Sequence, residues 1–268
     1  MTIAVIASWT PVALLVAAAL APPLRIPALL ALAAGAALVL QRTRGGAPGG
    51  PGVAWVAALP IAVSLVVGLL PDPRVADPGS CDDLLAHPVV RRVLQAGLVL
   101  GTVGILATRL GGRRSLGIVL PKDRRVIALA ALAPLVVPIA LVAGPILAEP
   151  FFGAVRLAVP GPAALIVATV LAVANAALEE VAYRGALQRW GAPALGRGGA
   201  IAAQALVFGS AHLGADVGAG VLLLWLGMTA AGLMAGVVAD RTGSLLLPFA
   251  VHAALDVPLA LALTCRLA

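Results

Sequence analysis

Nine apolar stretches follow one another along this 268-residue chain, at about 3–21, 26–40, 53–70, 90–108, 126–148, 161–190, 198–213, 217–239 and 244–264. Each is long enough, or nearly so, to cross the ~30 Å of hydrocarbon in a bilayer as a helix. The chain is 62% hydrophobic and 11% charged, too oily for a soluble domain of its length. The expected fold is therefore all-α, a multi-pass transmembrane helical bundle. The first two stretches are short and could form one broken unit, so eight or nine spans are expected. Turn chemistry and charge separate them, in "APPLRIP", "QRTRGGAPGGPG", "PDPRVADPGSCDD" and "RLGGRRSLGIVLPKDRR". No internal repeat is visible. The chain divides into 1–148, N-terminal spans, and 149–268, a core that carries the polar motifs described below.

The formal charge of +7 is explained by loops rather than by nucleic acid, since no basic run is interleaved with aromatics. Arg42 and Arg44 fall in one loop, and Arg109, Arg113, Arg114, Lys122, Arg124 and Arg125 two spans later. Arg189 and Arg197 follow after two more spans, and Arg241 after another two. With nine spans these loops share one face, which the positive-inside rule makes cytoplasmic. The N-terminus is then cytoplasmic, and a plasma-membrane location is expected. Asp72, Asp77, Asp82 and Asp83 fall on the other face, where Arg91 and Arg92 dissent and could snorkel. No Lys or Arg precedes Arg25, so residues 3–21 read as a retained span rather than a signal peptide. Cys81 and Cys265 lack metal-site spacing, the terminal "CRLA" matches a prenylation box only in outline, and His87 reads as a solvated loop residue.

The first five stretches have no ionisable residue in their interiors. The last four carry Glu179, Glu180, Arg184, His212, His252 and Asp256. A charge near the bilayer centre costs at least ~2.5–3.5 kcal/mol on insertion scales, so this concentration needs a cause. At ~1.5 Å rise per residue, the two glutamates lie ~15–16 Å from the cytoplasmic end of their helix, His212 ~21 Å, His252 ~12 Å and Asp256 ~18 Å. Residues from three helices thus fall in one slab. His252 and Asp256 are i and i+4 and share a face, as do Gln204, Phe208 and His212. Glu180 and Arg184 form an i, i+4 pair in the favoured order, which assigns Glu180 a structural role. Glu179 points about 100° away, toward Asn175, free to face a cavity as a general base. Gln204 and Asn175 are supporting candidates.

The three motifs "EEVAYR", "FGSAH" and "HAALD" match E-E-x-x-x-R, F-x-x-x-H and H-x-x-x-N/D in order and spacing. Together, over roughly residues 160–260, they resemble the CPBP intramembrane proteases, which include the C-a-a-X prenyl endopeptidases and bacteriocin-processing or self-immunity proteins. The resemblance implies that Glu179 activates a water for attack on a peptide carbonyl and that Glu180 with Arg184 holds the helix. It implies that His212, four residues after Phe208, binds or activates that water, and that His252 and residue 256 stabilise the oxyanion. Asp256 stands where prenyl-processing members have asparagine. An ionised aspartate cannot donate a hydrogen bond, so Asp256 would be protonated, orient His252 or bind a metal. Glu179, His212, His252 and Asp256 would suit zinc or another divalent metal, and a metal-free glutamate mechanism fits the same residues.

The function expected is an intramembrane endopeptidase acting near the cytoplasmic leaflet on a peptide or membrane-protein substrate, with the lipid bilayer as its medium. Two alternatives from other classes are a secondary transporter with an intramembrane proton or cation site, and a non-catalytic membrane scaffold or immunity protein.

Overall fold

The computed structural model describes residues 3–43, 46, 48–70, 88–152, 161–213 and 220–264. The acidic loop with Asp72, Asp77, Asp82 and Asp83 lies outside the described residues, as do Arg44, Cys81, His87 and the terminal "CRLA" with Cys265. Among the described residues the regular structure is helical. The helices are α1 (Ile3–Leu20), α2 (Pro22–Arg42), α3 (Gly52–Val67), α4 (Pro88–Leu110), α5 (Gly112–Ser115), α6 (Arg124–Leu132), α7 (Val136–Phe152), α8 (Pro162–Glu179), α9 (Gly191–Leu195), α10 (Arg197–Ala211), α11 (Val221–Thr242) and α12 (Leu246–Thr264). A 3-10 turn joins α6 to α7, and a π-helix, Glu180–Trp190, joins α8 to α9.

The nine apolar stretches each find a helix. Among the described residues, six helical stretches are long and apolar enough to cross a membrane: Ile3–Leu20, Pro22–Arg42, Arg91–Leu110, Arg124–Gly144, Ala164–Leu195 and Val221–Thr242. Gly52–Val67 and Leu246–Leu261 are apolar but shorter, and α10 has 15 residues. The first two stretches are two helices rather than one broken unit. Pro22 and Pro23, which favour a first helical turn, start α2 after an extended Ala21. The Arg25 Nε–H donates to Ala18 O at 2.9 Å and satisfies a carbonyl at the end of α1.

The interior is built around the π-helix. Leu178, Ala182, Tyr183 and Leu187 pack in one buried cluster with Val12 and Leu15 of α1, Leu29 and Leu32 of α2, Ile61 of α3, Ala96 and Val99 of α4, and Val207 and Phe208 of α10. A second cluster joins Ala186 and Trp190 to Val56 and Ala57 of α3 and Val103 and Leu106 of α4. Short α3 survives because its neighbours enclose it. At about 1.5 Å per residue it spans less than the hydrocarbon thickness, and nine of its residues are buried. The outward faces of α4, α7 and α11 remain apolar, with Ile105, Ile139, Leu222 and Leu223 exposed, as a lipid-facing surface requires.

Candidate functional site

The helix that begins at Pro162 changes winding where its charges begin. From Glu180 to Trp190 it is a π-helix, with i→i+5 hydrogen bonds and a wider turn, a form that clusters at functional sites. This stretch is almost wholly buried, Glu180 and Arg184 being 1% exposed each. The Gly117 loop helps to hold it. Gly117 has φ +78°, and a Cβ there would sit 2.6 Å from the Arg189 guanidinium, so only glycine admits that approach. Arg189 in turn donates to Ala239 O at 2.8 Å, and Leu245 N donates to Gly117 O at 3.0 Å. The start of α12 is thereby fixed against the π-helix.

The expected i, i+4 ion pair forms: Arg184 Nη1 lies 3.1 Å from Glu180 Oε1. The same oxygen accepts a hydrogen bond from His252 Nδ1 at 2.8 Å, so Glu180 also orients an imidazole 72 residues away in sequence. His212 Nδ1 lies 2.7 Å from Phe208 O, one turn back at the end of α10. A carbonyl and a carboxylate only accept, so both histidines carry a proton on Nδ1 and present Nε2 inward. Both Nε2 atoms face Glu179 Oε2, at 3.8 Å for His212 and 3.6 Å for His252. Glu179 Oε2 itself is buried with no hydrogen-bond partner. Asp256 Oδ2 lies 3.5 Å from His252 Nε2 and accepts from Asn175 Nδ2 at 2.7 Å.

The structure therefore brings Glu179, His212, His252 and Asp256 together, with Glu180 and Arg184 against them. Phe208 is the wedge between them. Its ring centroid lies 4.4 Å from that of His212 and 6.1 Å from that of His252, and the Arg184 guanidinium lies 4.3 Å over its face. Asn175 reaches Asp256 rather than Glu179. Gln204 is not at the site; its Nε2 donates to Gly232 O at 2.8 Å and ties α10 to α11. Tyr183, the chain's single tyrosine, escaped the sequence reading. It packs edge-on to Phe208 at 5.2 Å, and its i+4 spacing from Glu179 is the signal that would have found it. Beside Glu180 a cavity of about 370 Å³ opens, lined by Gly117, Leu120, Ala177, Val181, Leu246 and Phe249.

Among the described residues no group of three or more His, Cys, Asp or Glu side chains is arranged to hold an ion.

Residues 161–258 match the family model described as type II CAAX prenyl endopeptidase Rce1-like. The match begins at the start of α8 and ends just past Asp256, and so contains each of the three motifs. No curated protein and no solved structure matches the chain.

Proposed function

With residues 161–258 as an Rce1-like segment in a multi-pass membrane protein, we propose that the chain is an intramembrane endopeptidase whose general base is Glu179. The observation that carries this reading is the convergence of two imidazole Nε2 atoms on one unpartnered carboxylate oxygen inside a helical bundle. Separations of 3.6 and 3.8 Å are too long for direct hydrogen bonds but suit atoms that share one water oxygen at about 2.8 Å from each.

The hydrogen bonds support the following roles. His212, neutral with its proton on Nδ1, offers a lone pair at Nε2. The water donates one hydrogen to it and one to Glu179, leaving an oxygen lone pair for the carbonyl carbon. Glu179 takes the water's proton as the oxygen–carbon bond forms. His252, anchored by Glu180 and flanked by Asp256, donates from Nε2 as an imidazolium to the carbonyl oxygen as it becomes an oxyanion. Glu179 then returns the proton to the leaving amine as the carbon–nitrogen bond breaks. Asp256, held by Asn175, orients His252. The apolar cavity beside Glu180 gives a hydrophobic peptide room next to the carboxylates. Similarity to a CAAX prenyl endopeptidase family supports C-terminal tails as substrates.

The test is cleavage of reporter peptides by the purified chain in detergent. Glu179→Gln is expected to lower the rate at least a hundredfold while leaving chromatographic behaviour and thermal unfolding unchanged. Full activity in that variant refutes the assignment. The same preparations carry the metal question: stoichiometric zinc that is lost in His212→Ala, with chelator-sensitive cleavage, would add an ion to this mechanism.

A further inference from the structure

Arg92 lies in the first turns of α4, at the end of the membrane-crossing stretch Arg91–Leu110 and outside the family-matched segment. At the end of a span an arginine can snorkel to the interface, so its charge alone calls for no special cause. Among the described residues Arg92 has no salt bridge, and its one hydrogen bond is donated from Nη1 to Gln95 Oε1 at 2.8 Å. Gln95 is buried and fully committed, since its Nε2 donates to Ser64 O and to Ser64 Oγ, each at 2.8 Å. A side chain that merely snorkels needs no such lock. Here an amide anchored in α3 fixes the guanidinium's direction.

That direction matters because of what α4 packs against. Ala96 and Val99, one and two turns on from Arg92 along the same face, share a buried cluster with Leu178, Ala182 and Tyr183. α4 packs against α8, which ends at Glu179, and against the π-helix that follows it and carries Tyr183. A guanidinium carries five N–H groups in a fixed fork suited to a carboxylate, and the bond to Gln95 uses one of them. Arg184 cannot serve this purpose, because it is buried between Glu180 and the Phe208 ring.

Building on the endopeptidase reading, we propose that Arg92 is a specificity residue that binds a carboxylate of the peptide substrate, with Gln95 as its positioning residue. The carboxylate is either the peptide's free C-terminus or an acidic side chain near the scissile bond. Its charge is matched on α4 while the scissile bond lies over Glu179.

The experiment measures binding separately from cleavage. Three fluorescent apolar tetrapeptides are titrated into the full-length Glu179→Gln chain in detergent: one with a free C-terminal carboxylate, its C-terminal amide, and that amide with an internal glutamate. Fluorescence anisotropy is expected to give the free acid at least about tenfold tighter binding than the plain amide. Adding Arg92→Gln is expected to bring that ratio to about one, and Arg92→Lys to retain part of it. Gln95→Leu, which keeps the charge and removes its lock, is expected to lower the ratio about threefold or more, and keeps the test decisive if Arg92→Gln fails to fold. Arg92-dependent preference for the internal-glutamate peptide also supports the proposal and identifies the carboxylate as a side chain. Equal binding of acids and amide, a ratio indifferent to position 92, or no binding of any peptide overturns it. Cleavage by the native chain is scored alongside. An Arg92-dependent ratio without cleavage defeats the hydrolase reading and leaves the anion site, whereas cleavage without the ratio does the reverse.

Discussion

Through one oxygen, Glu180 takes both the Arg184 guanidinium and the His252 imidazole, while its neighbour Glu179 sets one oxygen 3.6 and 3.8 Å from two imidazole Nε2 atoms and bonds neither. Adjacent glutamates are thus divided by partner. Glu180→Gln is expected to abolish cleavage and also to lower the thermal unfolding midpoint in detergent, because breaking a buried ion pair leaves a charge worth roughly 3–5 kcal/mol of destabilisation. Glu179→Gln should show the first effect without the second. At position 256, an asparagine can still accept from Asn175 and can in addition donate to an oxyanion, so Asp256→Asn is expected to keep cleavage within about tenfold of native while Asp256→Ala falls further. The i, i+4 pairs Glu180–Arg184 and His252–Asp256 were legible in the sequence, because helical periodicity alone puts them on one face. The contact between His252 and Glu180 was not, because which helix crosses which is decided by packing between elements far apart in the chain.

At the scale of elements, the sequence yielded the helices more readily than their winding. The stretch 161–190 reads as one continuous helix, and the switch to π geometry at Glu180 left no mark in the apolar pattern. Two glutamines show how packing, rather than propensity, sets the neighbouring joint. Gln188 donates to Gly236 O at 2.9 Å and Gln204 to Gly232 O at 2.8 Å, so α11 is clamped through its own carbonyls. A Cβ on Gly236 would lie 2.5 Å from Gln204 Nε2 and 2.9 Å from Gln188 Oε1. Gly236→Val is therefore expected to lower the unfolding midpoint, at the ~1–3 kcal/mol typical of overpacking. Gly227→Val, on the same helix with nothing within 4 Å of its Cβ position, serves as the neutral control in the same melt.

For the whole molecule, the basic loops give a sidedness that labelling can check. Lys122→Cys, in a chain with Cys81 and Cys265 replaced by serine, is expected to resist an impermeant maleimide in intact cells and to react once the cells are opened. A second expectation follows from the shared interior. Fragment 149–268, produced alone in detergent, is expected to aggregate, because Leu178, Ala182 and Tyr183 would lose the α1, α3 and α4 side chains that bury them. That enclosure has a consequence for descent. Under the proposed activity, the helix with both glutamates is a spindle in a sleeve that the N-terminal half supplies in part, and the motif letters sit on that spindle and on α10 and α12. A lineage could change its clientele by recutting the sleeve, leaving every motif letter as it was.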